Sequence, residues 1–363
     1  LQMLIFYVLL ILFVLVSLLD NRLTLKAKKQ IFVICGFILV LFAGLRDSTV
    51  DMDYKSYLYR FQTISTIKLL FSNPNIFFSQ FKIEPATILI FSLVKSISSN
   101  AFPVVVFVFA FLSISLKMKA ISKMSDYILF SVLIYFSTLF LLQDMTQIRA
   151  AVATGLVLLS IPAIIERNIW KFFTYTLLAI CFHYSAIVFI PFYFFNWKKL
   201  NKTIYLIIIF LPIILAVLHF SPLEILARLK FGVFSEKISD YLIGQAWNRR
   251  TINIFNLAVL CNVLLSLVYI FFSQKTENKY FIMLTKINCI GIALFYLFSV
   301  SPVIAFRTYD LVTSVQIILI PSLIRIVKPR ALAEGIIILI AIALFLNQVL
   351  FNPIFNHYSC ILF

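Results

Sequence analysis

Four ionisable side chains stand at or inside the edges of apolar runs: Glu84 in KIEPATILIF, Arg149 in DMTQIRAAVATGLVLL, His183 in AICFHYSAIVFIP and Arg307 in VIAFRTYDLV. A charge in hydrocarbon costs about 2.5 to 3.5 kcal/mol on insertion scales, so the charges that are retained usually face a cavity or pathway. Guanidinium groups clamp phosphate oxygens through paired hydrogen bonds, and a carboxylate or imidazole can accept a proton from an attacking hydroxyl. Together these residue types predict a metal-free site for a pyrophosphate-bearing substrate.

A cluster of charged and aromatic residues adds to this set. The stretch FAGLRDSTVDMDYKSYLYRF, residues 42 to 61, holds two arginines, one lysine and three aspartates. We expect Asp53 to lie beside Arg46, whose positive charge would keep the carboxylate ionised. Asp53 and Glu84 are then the first candidates for a general base, ahead of His183, and Arg46 would orient the acid.

Each of these residues also has an ordinary structural interpretation, which the sequence leaves open. The two helical arginines could extend to the membrane interface, as lone arginines near helix ends commonly do. The histidine could be a neutral imidazole satisfied by a carbonyl or by Ser185. The glutamate, followed by Pro85, could be an acidic helix cap, and Asp51 and Asp53 could simply solvate a loop.

The elements that must position these groups are membrane helices. The 363 residues are 63% hydrophobic and only 12% charged, with a mean hydropathy of +1.05. Because one helical crossing needs roughly 20 residues, the chain has room for about 12 to 14 membrane segments. We therefore predict an all-α, polytopic transmembrane bundle that forms a single integral membrane domain over residues 1–363.

The charge and the cysteines exclude several function classes. The net charge of +17 is spread over short loops between apolar runs, as the positive-inside bias predicts, so we expect no nucleic-acid partner. The five cysteines are widely separated without a CxxC pair, which is typical of small buried side chains. The three histidines match no zinc-ligand spacing. We predict no metal and no cofactor.

Loop charge also predicts a topology. The basic connection DNRLTLKAKKQ follows the first apolar run and is predicted to be cytoplasmic. The first run, 1–19, then reads as a retained span with an external N-terminus, and not as a signal peptide. External loops are expected at about 46–85 and 221–251.

The middle of the chain does not give a clean number of spans. Three apolar runs are too short or too long to be one span each: 88–97, 102–116 and 172–195. We take Lys117, Lys119 and Lys123 as cytoplasmic, which makes one of the first two runs non-spanning. The third run is then broken at His183 into two short helices that meet at the outer side.

The order of these motifs resembles that of a known family. GLRDSTVDMDYKSY, EPATILIFSLV, QIRAAVATGL, FHYSAIVFIP and FRTYDLV follow one another over nearly the whole chain. This order is similar to that of the EpsG/Wzy-like polysaccharide polymerases, which join O-antigen and exopolysaccharide repeat units in bacteria. Each motif alone is weak, and the shared order carries the resemblance.

The first family motif matches the charged stretch. The family's arginine before the first external loop falls on Arg46, and its Asp-Tyr with a following Tyr falls on Asp53, Tyr54 and Tyr57. The glycine usual before this Asp-Tyr is absent, with Asp51 in its place, which questions the tight turn that glycine permits.

The remaining motifs fall on residues further along the chain: Glu84 with Pro85, Arg149, His183 with Ser185, and Arg307 with Tyr309. An aromatic residue expected after the Glu-Pro pair is missing, and Ala150 stands where a Gln is common. The resemblance implies that the matched arginines, tyrosines and serine bind substrate.

The resemblance further implies a reaction and its partners. A growing glycan on undecaprenyl pyrophosphate would be transferred to a fresh lipid-linked repeat unit at the external face of the bacterial cytoplasmic (inner) membrane. The expected partners are these lipid-linked glycans and membrane lipid, and a chain-length regulator is a further candidate partner.

Two rival functions share the polytopic character. A flippase for lipid-linked oligosaccharides would need a charged path that reaches both faces, whereas these polar residues are expected on one face. A membrane acyltransferase would be expected to carry a catalytic histidine early in the chain, but the first histidine is His183.

Overall fold

The computed structural model describes residues 3–51, 53–73, 75–76, 83–220, 222, 252–351 and 358–361. Within these ranges the regular secondary structure is helical, and the extended pairing is an isolated antiparallel bridge between Arg46 and Cys360. The prediction of an all-α, polytopic helical membrane protein is confirmed.

The helices are numbered in chain order: α1 (Leu4–Leu18), α2 (Leu25–Gly44), α3 (Asp53–Thr63), α4 (Ile67–Ser72), α5 (Pro85–Ile97), α6 (Phe102–Met124), α7 (Ile128–Tyr135), α8 (Ile148–Ile165), α9 (Ile169–Phe182), α10 (Lys202–Val217), α11 (Leu257–Phe271), α12 (Phe281–Leu297), α13 (Pro302–Val312), α14 (Gln316–Leu319), α15 (Leu323–Ile326) and α16 (Arg330–Leu346). Two π-helical segments continue α7 and α16: Phe136–Asp144 and Asn347–Phe351. Three segments are 3₁₀-helical: Tyr184–Phe194, Ser273–Lys275 and Thr313–Val315.

The chain packs as two compact units. Unit 1 is formed by Leu1–Ile190 with Ile320–Phe363, and unit 2 by Pro191–Leu319. Unit 2 has its own apolar core, in which residues of α10, α11, α12 and α13 meet. The single membrane domain over residues 1–363 stays a prediction.

Five of the described helices are long and apolar enough to cross a membrane: Leu25–Gly44, Phe102–Met124, Ile148–Ile165, Pro302–Leu319 and Arg330–Phe351. Shorter apolar helices of 10–17 residues accompany them: Leu4–Leu18, Pro85–Ile97, Ile128–Asp144, Ile169–Phe182, Tyr184–Phe194, Lys202–Val217, Leu257–Phe271 and Phe281–Leu297. The number of membrane segments, about 12 to 14, stays a prediction.

The predicted break at His183 is confirmed. Helix α9 ends at Phe182, and His183 takes an extended conformation with φ −155° and ψ 116°. The chain continues as the 3₁₀ segment Tyr184–Phe194, which contains Pro191. The apolar run 172–195 is therefore divided into an α-helix and a 3₁₀ segment.

The short helix α5 fits the expected non-spanning run. It has 13 residues, which at 1.5 Å per residue gives about 20 Å, less than the roughly 30 Å of a hydrocarbon core. Its N-terminus carries Glu84 as the capping residue. That α5 does not span stays a prediction.

The segment predicted as a loop at 46–85 contains two helices, α3 and α4. Tyr54, Tyr57 and Phe61 lie on the buried side of α3, which fixes this helix against the apolar helices. The predicted external loop at 221–251 lies outside the described residues, apart from residue 222.

Helices α6 and α8 approach closely in unit 1. A Cβ atom on Gly155 of α8 would lie 2.7 Å from Cβ of Leu116 on α6. Real Cβ atoms essentially never come this close, so only glycine permits this spacing of the two helices.

The C-terminal residues pair with the end of α2. The N–H of Asp47 donates to the carbonyl of Ser359 at 2.9 Å, and the N–H of Ile361 donates to the carbonyl of Leu45 at 3.0 Å. The ring of Tyr358 stacks on Phe42 with centroids 4.1 Å apart. The last described residues therefore belong to unit 1.

Candidate functional site

Three residues from three separate sequence motifs meet in unit 1. The guanidinium of Arg149 donates to Oε2 of Glu84, although the two residues are 65 positions apart. Nδ1 of His183 lies 3.2 Å from Oε1 of Glu84, across 99 positions. The structure therefore brings together Glu84, Arg149 and His183, and we refer to them as the Glu84 cluster.

Helix ends position the members of the Glu84 cluster. Glu84 caps the start of α5 and is followed by Pro85 at the first helical position, where the missing N–H costs nothing. Arg149 is the second residue of α8, and His183 caps the end of α9. Side chains at helix ends can converge without interrupting a helix.

Tyr57 on α3 covers one side of Arg149. The guanidinium carbon lies 5.4 Å from the ring centroid of Tyr57, which is a cation–π contact. Burial raises the pKa of the Tyr57 hydroxyl, and the positive charge of Arg149 opposes this shift. Tyr57 is thus a neutral aromatic wall for the arginine.

The charge state of Glu84 is fixed by its neighbours. Burial alone would raise its pKa, but the hydrogen bond to His183 and the charge of Arg149 outweigh burial and lower the pKa to about 2. Glu84 is therefore an anion throughout the physiological pH range, with both carboxylate oxygens engaged.

Some buried polar side-chain atoms in these motifs make no hydrogen bond within the part of the chain that the structure describes. Nε of Arg149 and Oγ of Ser185 are among them. Nε of a guanidinium can only donate, and a serine hydroxyl can donate or accept. Both atoms are suited to the oxygens of a bound ligand.

Arg46 is paired with Asp51. Its Nε donates to Oδ2 of Asp51 at 2.9 Å and its Nη1 to the carbonyl of Ala43 at 2.6 Å, and the side chain is buried. Oδ1 of Asp51 accepts the N–H of Tyr54 at 2.8 Å, which satisfies an amide that the first turn of α3 leaves open. Arg46 and Asp51 thus fix the start of α3.

Asp53 lies at the start of α3, two residues after the buried Asp51. It is the first residue of α3 and its side chain is exposed, while Tyr54 beside it is buried. The role of Asp53 as a base stays a prediction.

The late motif residues lie in unit 2. Arg307 is exposed on α13, and the hydroxyl oxygen of Tyr309 accepts a hydrogen bond from Nδ2 of Asn262 at 3.0 Å. Nδ2 of Asn288 donates to Oδ1 of Asn262 at 2.7 Å. Tyr309 is therefore tied to helices α11 and α12, and substrate binding by Arg307 and Tyr309 stays a prediction.

Comparison with models of protein families shows which family this chain belongs to. A model of the EpsG family matches residues 29–361. The chain belongs to the EpsG family. No curated protein and no solved structure matches the chain.

Membership of the EpsG family indicates a polymerase-type role in polysaccharide biosynthesis for this multi-pass membrane protein. The Glu84 cluster, Arg46 and the Arg307 motif all lie inside the matched region. Within the described residues of this EpsG family chain, no group of three or more His, Cys, Asp or Glu side chains is placed to hold a metal ion.

The sequence reasoning missed one charged cluster of the EpsG family chain. Lys117, expected in a cytoplasmic connection, is fully buried inside α6, where its Nζ lies 2.8 Å from both carboxylate oxygens of Asp144. The signal was the one used for the other sites, since both residues are charges within apolar runs. The basic pattern of Lys117, Lys119 and Lys123 favoured a loop instead.

Proposed function

We propose that this chain polymerises undecaprenyl-pyrophosphate-linked oligosaccharide repeat units into O-antigen or exopolysaccharide at the external face of the bacterial cytoplasmic membrane. It acts as a metal-independent membrane glycosyltransferase. The Glu84 cluster carries the proposal, because it places a guanidinium, a carboxylate and an imidazole side by side without a metal ligand set.

The guanidinium of Arg149 binds the pyrophosphate of the donor. Its Nε is a buried donor available to an oxygen ligand, and Tyr57 supports the plane of the group. Negative charge grows on the pyrophosphate as it leaves, so a fixed guanidinium stabilises the transition state more than the ground state. Phosphate binding by Arg307, which lies in unit 2, stays a separate prediction from the sequence.

The transfer needs one proton acceptor. The acceptor hydroxyl oxygen forms a bond to the anomeric carbon, the bond from that carbon to the pyrophosphate oxygen breaks, and the lipid pyrophosphate leaves with the electron pair. The hydroxyl proton passes to a base on the protein and then to water.

We propose that His183, and not Glu84, accepts the proton, which differs from the order of candidates that the sequence predicts. A carboxylate with a pKa of about 2 is a weak base, since base strength follows the pKa. Glu84 therefore orients the imidazole of His183 and offsets the positive charge that the imidazole gains. The imidazole of His183 lies against the Glu84 carboxylate, and His183 is the proposed base.

The proposed function is tested by deleting the gene and analysing the surface glycan by gel electrophoresis. Loss of a polymerase leaves single capped repeat units, and complementation with the wild-type gene restores the ladder. Loss of a flippase leaves no surface repeats at all, and that result would replace the polymerase by the transporter alternative.

A further inference from the structure

The carboxylate of Asp144 is the centre of a second charged cluster in unit 1. The residues that contact Asp144 do not belong to the Glu84 cluster. Oδ1 of Asp144 accepts Ser113 Oγ at 2.5 Å, and its Oδ2 accepts Tyr135 OH at 2.8 Å. Nζ of Lys117 donates to both oxygens at 2.8 Å. The side chains of Lys117 and Asp144 have no exposed surface.

These partners come from two helices. Ser113 and Lys117 are one turn apart on α6, and Tyr135 is the last residue of α7. Asp144 ends the π-helical segment that continues α7. The cluster therefore ties the end of this segment to the middle of α6.

A buried ion pair is a poor way to gain stability, because well-packed apolar side chains of similar volume often serve equally well. Its specific effect is to fix the position of a chain segment. π-helical turns are themselves frequent at functional sites. The place where Lys117 and Asp144 fix the end of the π-helical segment is therefore what indicates their role.

Asp144 lies five residues before Arg149, and helix α8 begins between them at Ile148. Beyond Arg149, α8 is held against α6 at Gly155, which faces Leu116, the neighbour of Lys117. Helix α6 thus holds the chain on both sides of Arg149.

Helix α6 also contacts the elements that carry Glu84 and His183. The ring of Phe109 on α6 lies 6.1 Å from Phe91 of α5 and 6.0 Å from Phe182 of α9. Displacement of α8 along α6 would therefore move Arg149 relative to both partners.

We propose that Lys117 and Asp144 are positioning residues that set the location of the Arg149 guanidinium against Glu84 in the transfer reaction. The proposal rests on the proposed function. Neither residue touches substrate. Their effect is on the rate constant, because a misplacement of about 1 Å can cost roughly 100-fold in rate.

The test compares purified variants in a polymerisation assay, with the amount of inserted enzyme and its melting temperature measured for each. In Lys117→Met/Asp144→Asn both charges are removed together, and the single asparagine oxygen can still accept from one of the two hydroxyls that contact Asp144, Ser113 or Tyr135. We expect kcat to fall roughly 10-fold or more per inserted enzyme. In an Arg149→Lys background the same pair should cause no further loss, since coupled residues are not additive.

A second variant keeps the test decisive where the double variant fails to insert. Tyr135→Phe removes one donor to Asp144 without a change of charge, and we expect kcat to fall about 3-fold or more, in line with the loss of a hydrogen bond to a charged group. The matched control is Lys28→Met/Asp20→Asn, which removes another ion pair of unit 1 and should leave kcat unchanged.

Wild-type kcat in Tyr135→Phe and in every inserted form of the double variant would overturn the proposal. If Arg149→Ala is inactive in that case, only the positioning role fails. If Arg149→Ala also polymerises at the wild-type rate, the proposed function fails with it.

Discussion

Nε of Arg46 lies 2.9 Å from Oδ2 of Asp51, and both side chains are buried. The other oxygen of Asp51 accepts the N–H of Tyr54. One carboxylate thus joins the end of α2 to the start of α3, which carries Tyr57 towards Arg149. Asp51, which from the sequence alone could simply solvate a loop, holds the start of α3 in place.

Asp51→Ala should be strongly destabilising. It leaves the buried guanidinium of Arg46 without its carboxylate, which typically costs about 3 to 5 kcal/mol in the free energy of unfolding. Asp53→Ala changes an exposed side chain and should cost less than about 1 kcal/mol. Thermal unfolding of the purified variants in detergent measures the difference, and equal melting temperatures would contradict this assignment.

Arg149→Ala should abolish most of the activity. Loss of one charge-assisted clamp costs about 2 to 4 kcal/mol in the transition state, which is roughly 30- to 1000-fold in rate. Arg149→Lys should rescue only in part, because an ammonium cannot present a planar fork. Arg307→Ala is expected to behave likewise.

The control for these arginine variants is Arg330→Ala, which removes an exposed pair with Glu334 and should leave the polymer unchanged. Polymer of wild-type length in Arg149→Ala and Arg307→Ala would disprove pyrophosphate binding by these residues.

Protonation of Glu84 should affect stability only in strong acid. Its pKa is lowered from an ordinary 4.5 to about 2, so its contribution is complete above about pH 4.5 and is lost as the pH falls towards 2. Wild type should lose unfolding free energy in this window relative to Glu84→Gln. A similar slope in both proteins would show that the carboxylate is not held ionised.

The lowered pKa of Glu84 makes its carboxylate a weak base. His183 and Asp53 are then the two candidate bases to compare. His183→Ala should remove most of the rate. Asp53→Asn should retain activity at matched expression. If Asp53→Asn instead were inactive while His183→Ala still made full-length glycan, Asp53 would be the base.

Catalysis should not need a divalent metal, because Arg149 supplies positive charge at the leaving group. Purified enzyme is expected to polymerise at an undiminished rate in excess chelator. Loss of activity in chelator that magnesium or manganese restores would refute metal independence.

Gly155→Val should destabilise unit 1 by overpacking. Its first added atom would meet Leu116 at 2.7 Å, and overpacking typically costs about 1 to 3 kcal/mol. Gly335→Ala is the matched control, since nothing lies within 4 Å of its Cβ position and alanine favours a helix. Comparable melting temperatures for the two variants would contradict the close approach of α6 and α8.

The helical membrane class and the break at His183 could be predicted from the sequence, because both follow from local pattern. An apolar run from 172 to 195 is too long for one short span, and a polar residue near its middle marks the interruption. The contact of Glu84 with Arg149 could be expected only through the resemblance, since spacing says nothing about residues 65 positions apart.

Two placements could not be predicted, for physical reasons. Asp51 and Asp53 are both close to Arg46 in sequence, and only the start of α3 decides which carboxylate turns inward. Lys117 stands in a basic pattern typical of a loop, and its burial depends on Asp144, 27 positions later. A tertiary partner overrides the local signal in both cases.

The backbone bridge between Arg46 and Cys360 can form only after the chain between them has been synthesised. All of Pro191–Leu319 separates the two parts of unit 1 in the sequence, so the ribosome must release this whole stretch before residues 358–361 can pair with Leu45 and Asp47. The segment that follows α2 therefore gains these backbone partners only after Pro191–Leu319 has been translated.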